Sequence, residues 1–316
     1  MLFIHNTVSL CNECYRHIPA IVYEEDGLIL IKKNCPYHGE YTGIVETDPA
    51  FYYGLEHHRD VSSFNQVLFE ASDRCQLTCP HCYHLPDNKI KDVQLDILIS
   101  QINQFPKDSS PMIAGAEPTL RPDFIKLCNE LDSLNFEQFE LLTNGIRFAS
   151  KEFTDSCYQA GLKTLCFGLN HPSYQGDTVH NKQLTALDNL IDRGYAIGYV
   201  GYTIEDYEHL EFILNEIKTI NSPQINHYRI RCGSFIGRSS DQQRSYLSTL
   251  VAKISALTGG ELTSYLADDN PYHVMVNWNG IILRLIQWPD VTNIDLEELA
   301  TGPWCQFYDG PISNFV

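Results

Sequence analysis

The stretch Cys75-Gln76-Leu77-Thr78-Cys79-Pro80-His81-Cys82 sets the reading of the whole chain. Its cysteines are spaced C-x3-C-x2-C, which gathers three thiolates around one small volume. That is enough to hold three irons of a [4Fe–4S] cluster and leave the fourth open to a ligand. The same cysteines could instead serve a zinc ion that takes a fourth ligand from elsewhere, or be buried thiols of a compact loop. The preceding run Val67-Leu68-Phe69-Glu70-Ala71 is apolar and strand-like, so the cysteine loop follows a strand end.

At 316 residues and 43% apolar content, the chain can form one large domain with a small appendage. Twenty-two basic against 40 acidic residues leave a net charge of −18, so no nucleic-acid partner is expected. There is no run of eighteen apolar residues, and Met1-Leu2-Phe3-Ile4-His5 is too short and lacks the basic start of a signal peptide. The expectation is a cytoplasmic protein without a transmembrane segment. In that setting eleven cysteines read as metal or redox ligands rather than a disulfide framework.

A second cysteine group opens the chain. Cys11-Asn12-Glu13-Cys14 and Cys35-Pro36-Tyr37-His38-Gly39 give C-x2-C and C-x2-H, two knuckles that can face each other as a tetrahedral Cys3His site. Between them Ala20-Ile21-Val22-Tyr23 and Leu28-Ile29-Leu30-Ile31 flank Glu25-Asp26-Gly27, a hairpin that would bring Cys11, Cys14, Cys35 and His38 together. Histidine suits zinc and small domains need staples, so structural zinc is expected; a redox-active iron or auxiliary cluster is the alternative. Residues 40–66 read as a connector.

From residue 66 strand-like and helix-like segments alternate, the pattern of a parallel α/β fold. Strands are expected at 67–72, 111–115, 138–143, 163–169, 196–203 and 226–231, and helices at 92–104, 122–134, 150–160, 181–194, 207–219 and 240–257. Six such units predict a partial (β/α)6 TIM-type barrel whose chemistry sits at the C-terminal strand ends. Asn279-Gly280 between two apolar runs predicts a C-terminal β-hairpin extension. The expected domains are 1–65 (knuckle and connector), 66–258 (barrel) and 259–316 (hairpin and tail).

Three strand ends carry small or polar residues. After the second strand comes Ala114-Gly115-Ala116-Glu117-Pro118, where small residues admit a ligand to the backbone and a carboxylate can meet an ammonium. After the third stands Thr143-Asn144-Gly145, which would also serve as a plain Asn-Gly turn. After the fourth comes Gly168-Leu169-Asn170. In the sixth strand, His227-Tyr228-Arg229-Ile230-Arg231, alternation separates the arginines from Tyr228 and Ile230. Such an arginine needs an anion, which a structural carboxylate could supply; Arg238 is an alternative. Cys128, Cys157 and Cys166 read as buried thiols, whereas no C-x2-C pattern joins Cys232 to Cys305.

Together the cysteine loop, the GAEP turn and the TNG turn resemble the radical S-adenosylmethionine (radical SAM) superfamily. The added rubredoxin-like or zinc knuckle resembles its branch of tetraether lipid synthase and pterin-modifying methyltransferases. The resemblance implies that Cys75, Cys79 and Cys82 hold a [4Fe–4S] cluster. It also implies that His81 (where an aromatic is usual), Gly115, Ala116 (where a second glycine is usual), Glu117, Asn144, Asn170 and Arg231 contact SAM. The activity it implies is reductive cleavage of SAM to a 5′-deoxyadenosyl radical that abstracts a hydrogen atom, with flavodoxin or ferredoxin as reductant. Trp278, Leu283, Leu285 and Trp288 near the hairpin suggest a small or lipid-like substrate. The alternatives are a peptide substrate, or a non-catalytic iron–sulfur or electron-transfer protein with a degenerate SAM site.

Overall fold

The computed structural model describes residues 1–11, 13–14, 16–57, 66–82, 84, 86–204, 206–232, 246–267 and 272–287. Two compact units divide the chain. One takes Met1–Ser62, Ile204–Glu211 and Ile230–Val316; the other takes Ser63–Thr203 and Phe212–Arg229. These units cut across the expected boundaries at 66–258 and 259–316.

The first unit opens with β1 (Leu2–Leu10), β2 (His17–Glu25), β3 (Leu28–Cys35) and β4 (Gly39–Glu46), an antiparallel sheet in that order. Asp26 and Gly27 join β2 to β3 with φ of 52° and 74°, the left-handed pair that a tight hairpin requires. Val22, Ile29 and Ile31 are fully buried and form the apolar side of the sheet. Of the stretch read as a connector, residues 40–57 are structured. β4 completes the sheet, and α1 (Pro49–His57) follows, its first turn held by the Phe51 N–H on Asp48 Oδ1 at 3.0 Å. Tyr52 and Leu55 of α1 are buried.

The second unit holds most of the alternating segment: β5 (Gln66–Ser72), α2 (Leu95–Ile102), β6 (Ser110–Gly115), α3 (Phe124–Ser133), β7 (Glu140–Thr143), α4 (Lys151–Gln159), β8 (Thr164–Gly168), α5 (Asp177–Arg193), β9 (Ala196–Ile204), α6 (Leu210–Ile220) and β10 (Ile225–Cys232), of which Ile204, Leu210–Glu211 and Ile230–Cys232 count with the first unit. β5 to β9 pair in sequence order and in parallel, and β10 lies beside β9. This is the expected α/β partial barrel. Leu210, Ile213, Leu214 and Ile217 show why α6 packs on the sheet: the i, i+3, i+4, i+7 stripe is buried while Glu211 and Asn215 face water. Cys128, Cys157 and Cys166 are buried. Burial pushes the thiols of Cys157 and Cys166 up to about 12, where they are inert.

The chain then returns to the first unit with α7 (Leu247–Thr258), β11 (Glu261–Ala267), β12 (Tyr272–Trp278) and β13 (Ile281–Gln287). Glu46 at the end of β4 is buried and accepts the Ser248 N–H at 3.2 Å, which fastens the start of α7 within this unit. The expected hairpin of β12 and β13 forms around Asn279-Gly280, and β11 adds a third antiparallel strand that the sequence reading omits. Trp278, Leu283 and Leu285 are buried, so these side chains serve the core and present no surface to a lipid-like substrate. Trp288, Arg238 and Cys305 lie outside the described residues. Among the described residues no helix is long and apolar enough to cross a membrane.

Candidate active site

Two strand ends of the second unit, those of β6 and β7, meet at Glu117. Its side chain is fully buried, and Oε1 accepts the Thr119 N–H at 3.2 Å, the Thr119 hydroxyl and the Thr143 hydroxyl at 2.8 Å. Oε2 accepts the Asn144 N–H at 2.8 Å. Burial raises the Glu117 carboxyl above its ordinary value, and these donors pull it back. The carboxylate therefore ties the GAEP turn to the TNG turn. The GAEP turn packs closely against the end of β5 at Gly115 and Ala116. Gly115 has φ of 114°, and a Cβ there would lie 2.4 Å from the Ser72 carbonyl oxygen; the next N–H, of Ala116, donates to that same oxygen at 2.8 Å. Only glycine fits so close an approach.

Two arginines complete the frame. Arg121 is 1% exposed, holds Asp123 through two bonds of 2.9 and 3.0 Å, and donates to the carbonyls of Ala71 and Val93. Arg74 pairs with Asp92 and donates to the Leu120 carbonyl at 3.1 Å. Both fix the strand end from which the cysteine loop departs.

The Cys82 N–H closes the cysteine loop by bonding to the Cys79 carbonyl at 3.2 Å. Cys75 is buried; Cys79 and Cys82 are half-buried. N–H groups surround the sulfurs: Leu77 N on Cys75 Sγ at 3.4 Å, Asn144 Nδ2 on Cys75 Sγ at 3.6 Å, and Gln175 Nε2 on Cys79 Sγ at 2.6 Å. Burial pushes the lone Cys75 thiol up to about 11, a demand for a cationic partner if it is to ionise. Three thiols on one loop under N–H donors fit an iron–sulfur cluster, which spreads its ligands wider than a single ion does.

The other expected site residues fall as follows. His81 is buried, its ring edge-on to Tyr174 at 5.1 Å. Asn144 serves its turn as well as Cys75, since Oδ1 accepts the Ile146 N–H at 3.1 Å. Asn170 is half-buried, and its carbonyl oxygen is 3.0 Å from His180 Nδ1. Arg231 belongs to the first unit and lies half-buried on the strand face opposite Ile230 and Cys232, as alternation predicts.

Sequence reasoning missed two supports in α5, because a polar residue inside a helix reads as surface. Gln183 is 1% exposed, and its amide donates to the carbonyls of Asn144 and Gly168, each at 2.9 Å. His180 is the other: Nδ1 faces the Asn170 carbonyl, Nε2 faces Glu216 Oε1 at 2.6 Å, and Tyr202 donates to Glu216 Oε2 at 2.8 Å. With an acceptor facing each nitrogen, the surroundings favour the protonated ring, which can donate to both. The bond to Glu216, aided by its charge and the Asn170 carbonyl, raises the His180 pKa above 6.5. A raised histidine contributes stability that is complete below 6.5 and lost as pH rises through the folded-state pKa. Thermal unfolding at stepped pH is expected to show a loss of stability above 6.5 that His180→Gln lacks; parallel profiles would contradict it.

The first unit holds the second donor group. The ligand atoms of Cys11, Cys14, Cys35 and His38 all lie within 4.8 Å of one another. Cys14 Sγ is 3.9 Å from Cys35 Sγ, and His38 Nδ1 is 3.4 Å from Cys11 Sγ and 3.5 Å from Cys35 Sγ. Burial raises the Cys35 thiol, but the N–H groups of Tyr37 and His38 and the His38 ring outweigh it, and the pKa falls to about 6. A tetrahedral ion fits such a set.

Comparison with known proteins agrees with both groups. Residues 69–217 match the radical SAM superfamily, and residues 3–47 match the HMPTM N-terminal zinc ribbon domain. This chain carries a radical SAM domain. Its radical SAM domain follows an N-terminal zinc ribbon. One relative is the 7,8-dihydro-6-hydroxymethylpterin dimethyltransferase of Methanocaldococcus jannaschii, 27% identical over 50% of this chain and 38% of that protein. Another is the GTP 3′,8-cyclase of Haemophilus influenzae, 29% identical over 42% of each chain. The match thus spans about two fifths of the length of these curated relatives. Among solved structures, Streptococcus suis SuiB aligns with a TM-score of 0.49 and 16% identity over 64% of this chain and 47% of that one.

Proposed function

We propose that this protein is a radical SAM enzyme acting on a small organic molecule. The observation that carries the proposal is that one buried carboxylate, Glu117, ties the Gly115 turn to the Asn144 turn, while Asn144 in turn reaches Cys75 of the three-cysteine loop. Cys75, Cys79 and Cys82 would hold a [4Fe–4S] cluster. When bound and reduced, that cluster supplies the electron that cleaves SAM to methionine and a 5′-deoxyadenosyl radical, which takes a hydrogen atom from the substrate. The chain's own part is binding and orientation. Gly115 and Ala116 present backbone to the methionyl group, while Asn144, Asn170 and His81 border the nucleotide. Glu117, with both oxygens occupied by donors, positions these turns. A ferredoxin or flavodoxin is the expected reductant.

The substrate proposal moves away from a lipid, because the hairpin side chains that suggested one are buried. The relatives are named for a pterin and for GTP, which supports a fused nitrogen heterocycle as the substrate class. Anaerobic incubation of reconstituted protein with SAM and dithionite is expected to release 5′-deoxyadenosine above an iron-free control, faster with a dihydropterin or guanine nucleotide added. No release above the control would refute the enzyme, and no stimulation by either heterocycle would refute the substrate class.

In the ribbon, Cys11, Cys14, Cys35 and His38 would hold structural zinc. Closed Cys3His coordination supports a folding role, since it leaves no position open for substrate. Cys14→Ser is expected to lose bound zinc and lower the unfolding temperature while uncoupled SAM cleavage persists. A stable variant without cleavage would point to a redox centre instead.

A further inference from the structure

The loop after β8 carries a carboxamide, that of Gln175, whose oxygen no role above uses. Gln175 ends the turn Pro172–Tyr174, and its position is fixed twice: its own N–H and that of Gly176 both bond to the Pro172 carbonyl, at 3.3 and 2.7 Å. The side chain points back across 96 residues of sequence to the cysteine loop, where Nε2 lies 2.6 Å from Cys79 Sγ. Tyr174, one residue earlier, meets the His81 ring of that same loop at 5.1 Å. The other end of the amide is unspent: Gln175 Oε1 is buried and accepts no hydrogen bond among the described residues. A buried carbonyl oxygen without a donor is costly, so one that persists beside a ligand site marks where a ligand's donor belongs.

We infer that Gln175 is a two-ended cofactor-positioning residue, its amide N–H bonded to the Cys79 thiolate and its carbonyl oxygen kept for an N–H donor of bound SAM. The inference rests on the cluster and SAM reading given above. An N–H bond to a cluster sulfur stabilises the more negative, reduced state and raises the reduction potential. The acceptor end fits an ammonium or exocyclic amino group, the two N–H donors that SAM carries.

The test uses reconstituted full-length protein and two variants. Gln175→Met removes donor and acceptor at similar volume, and Gln175→Glu keeps only the acceptor. Dithionite titration followed by electron paramagnetic resonance is expected to show the cluster midpoint shifted to lower potential in both. Equilibrium binding of SAM is expected to weaken about 10-fold in Gln175→Met, the size of one lost hydrogen bond to a charged or amino group, and to be retained in Gln175→Glu. A Gln175→Met midpoint equal to that of the wild type, or SAM binding equal in those two proteins, overturns the assignment. A wild-type protein that takes up no cluster overturns the underlying reading instead.

Discussion

Replacing Cys79 by alanine is expected to strip the protein of cluster iron while leaving its zinc in place. Two cysteine ligands cannot hold a cubane that depends on three from one loop, so the loss should be complete and 5′-deoxyadenosine formation should fall to that of iron-free protein. The zinc should remain, because its four donors lie on the knuckles of the first unit and Cys79 belongs to the second. Iron, sulfide and zinc analysis of the purified variant, with circular dichroism to establish folding, checks both halves. Simultaneous loss of iron and zinc from a folded variant would contradict the two-site account.

Glu117→Ala is expected to cost about 3 kcal/mol of stability, because it strands the N–H groups of Thr119 and Asn144 at a buried site. The two hydroxyls can rotate toward other acceptors, but the backbone groups have no such freedom. Glu117→Gln should cost less: one amide oxygen can keep Thr119 and Thr143, while the amide nitrogen opposes the Asn144 N–H as a second donor. Urea unfolding of the three proteins gives the order directly. An alanine variant within about 1 kcal/mol of wild type would mean that the carboxylate does not organise these turns.

The parallel strands were legible because each is a short apolar run between turn residues, and β5 to β10 fall within a few residues of their expected positions. The first strand and α1 were not. β1 carries His5, Asn6, Thr7 and Ser9 among its apolar residues, so its alternation is faint until β2 pairs with it from Leu2↔Glu24 to Leu10↔His17. The cysteine groups were legible for a different reason: ligand chemistry demands close spacing, and spacing is visible in one dimension. The supports of the site have no such signature. Gln183, Arg121 and Gln175 look like surface residues until folding brings them to backbone or sulfur 15 to 96 positions away. The hairpin misled in the opposite direction, since an apolar residue in sequence does not say whether it lines a pocket or fills a core.

The central claim is that Cys75, Cys79 and Cys82 hold a cluster with one iron open to SAM. Electron paramagnetic resonance of the anaerobically reconstituted, dithionite-reduced protein, recorded before and after adding SAM, tests it most directly. The account predicts a reduced [4Fe–4S] signal whose shape changes when SAM is added. A protein that gives no such signal, or one whose signal is identical with and without saturating SAM, would contradict it.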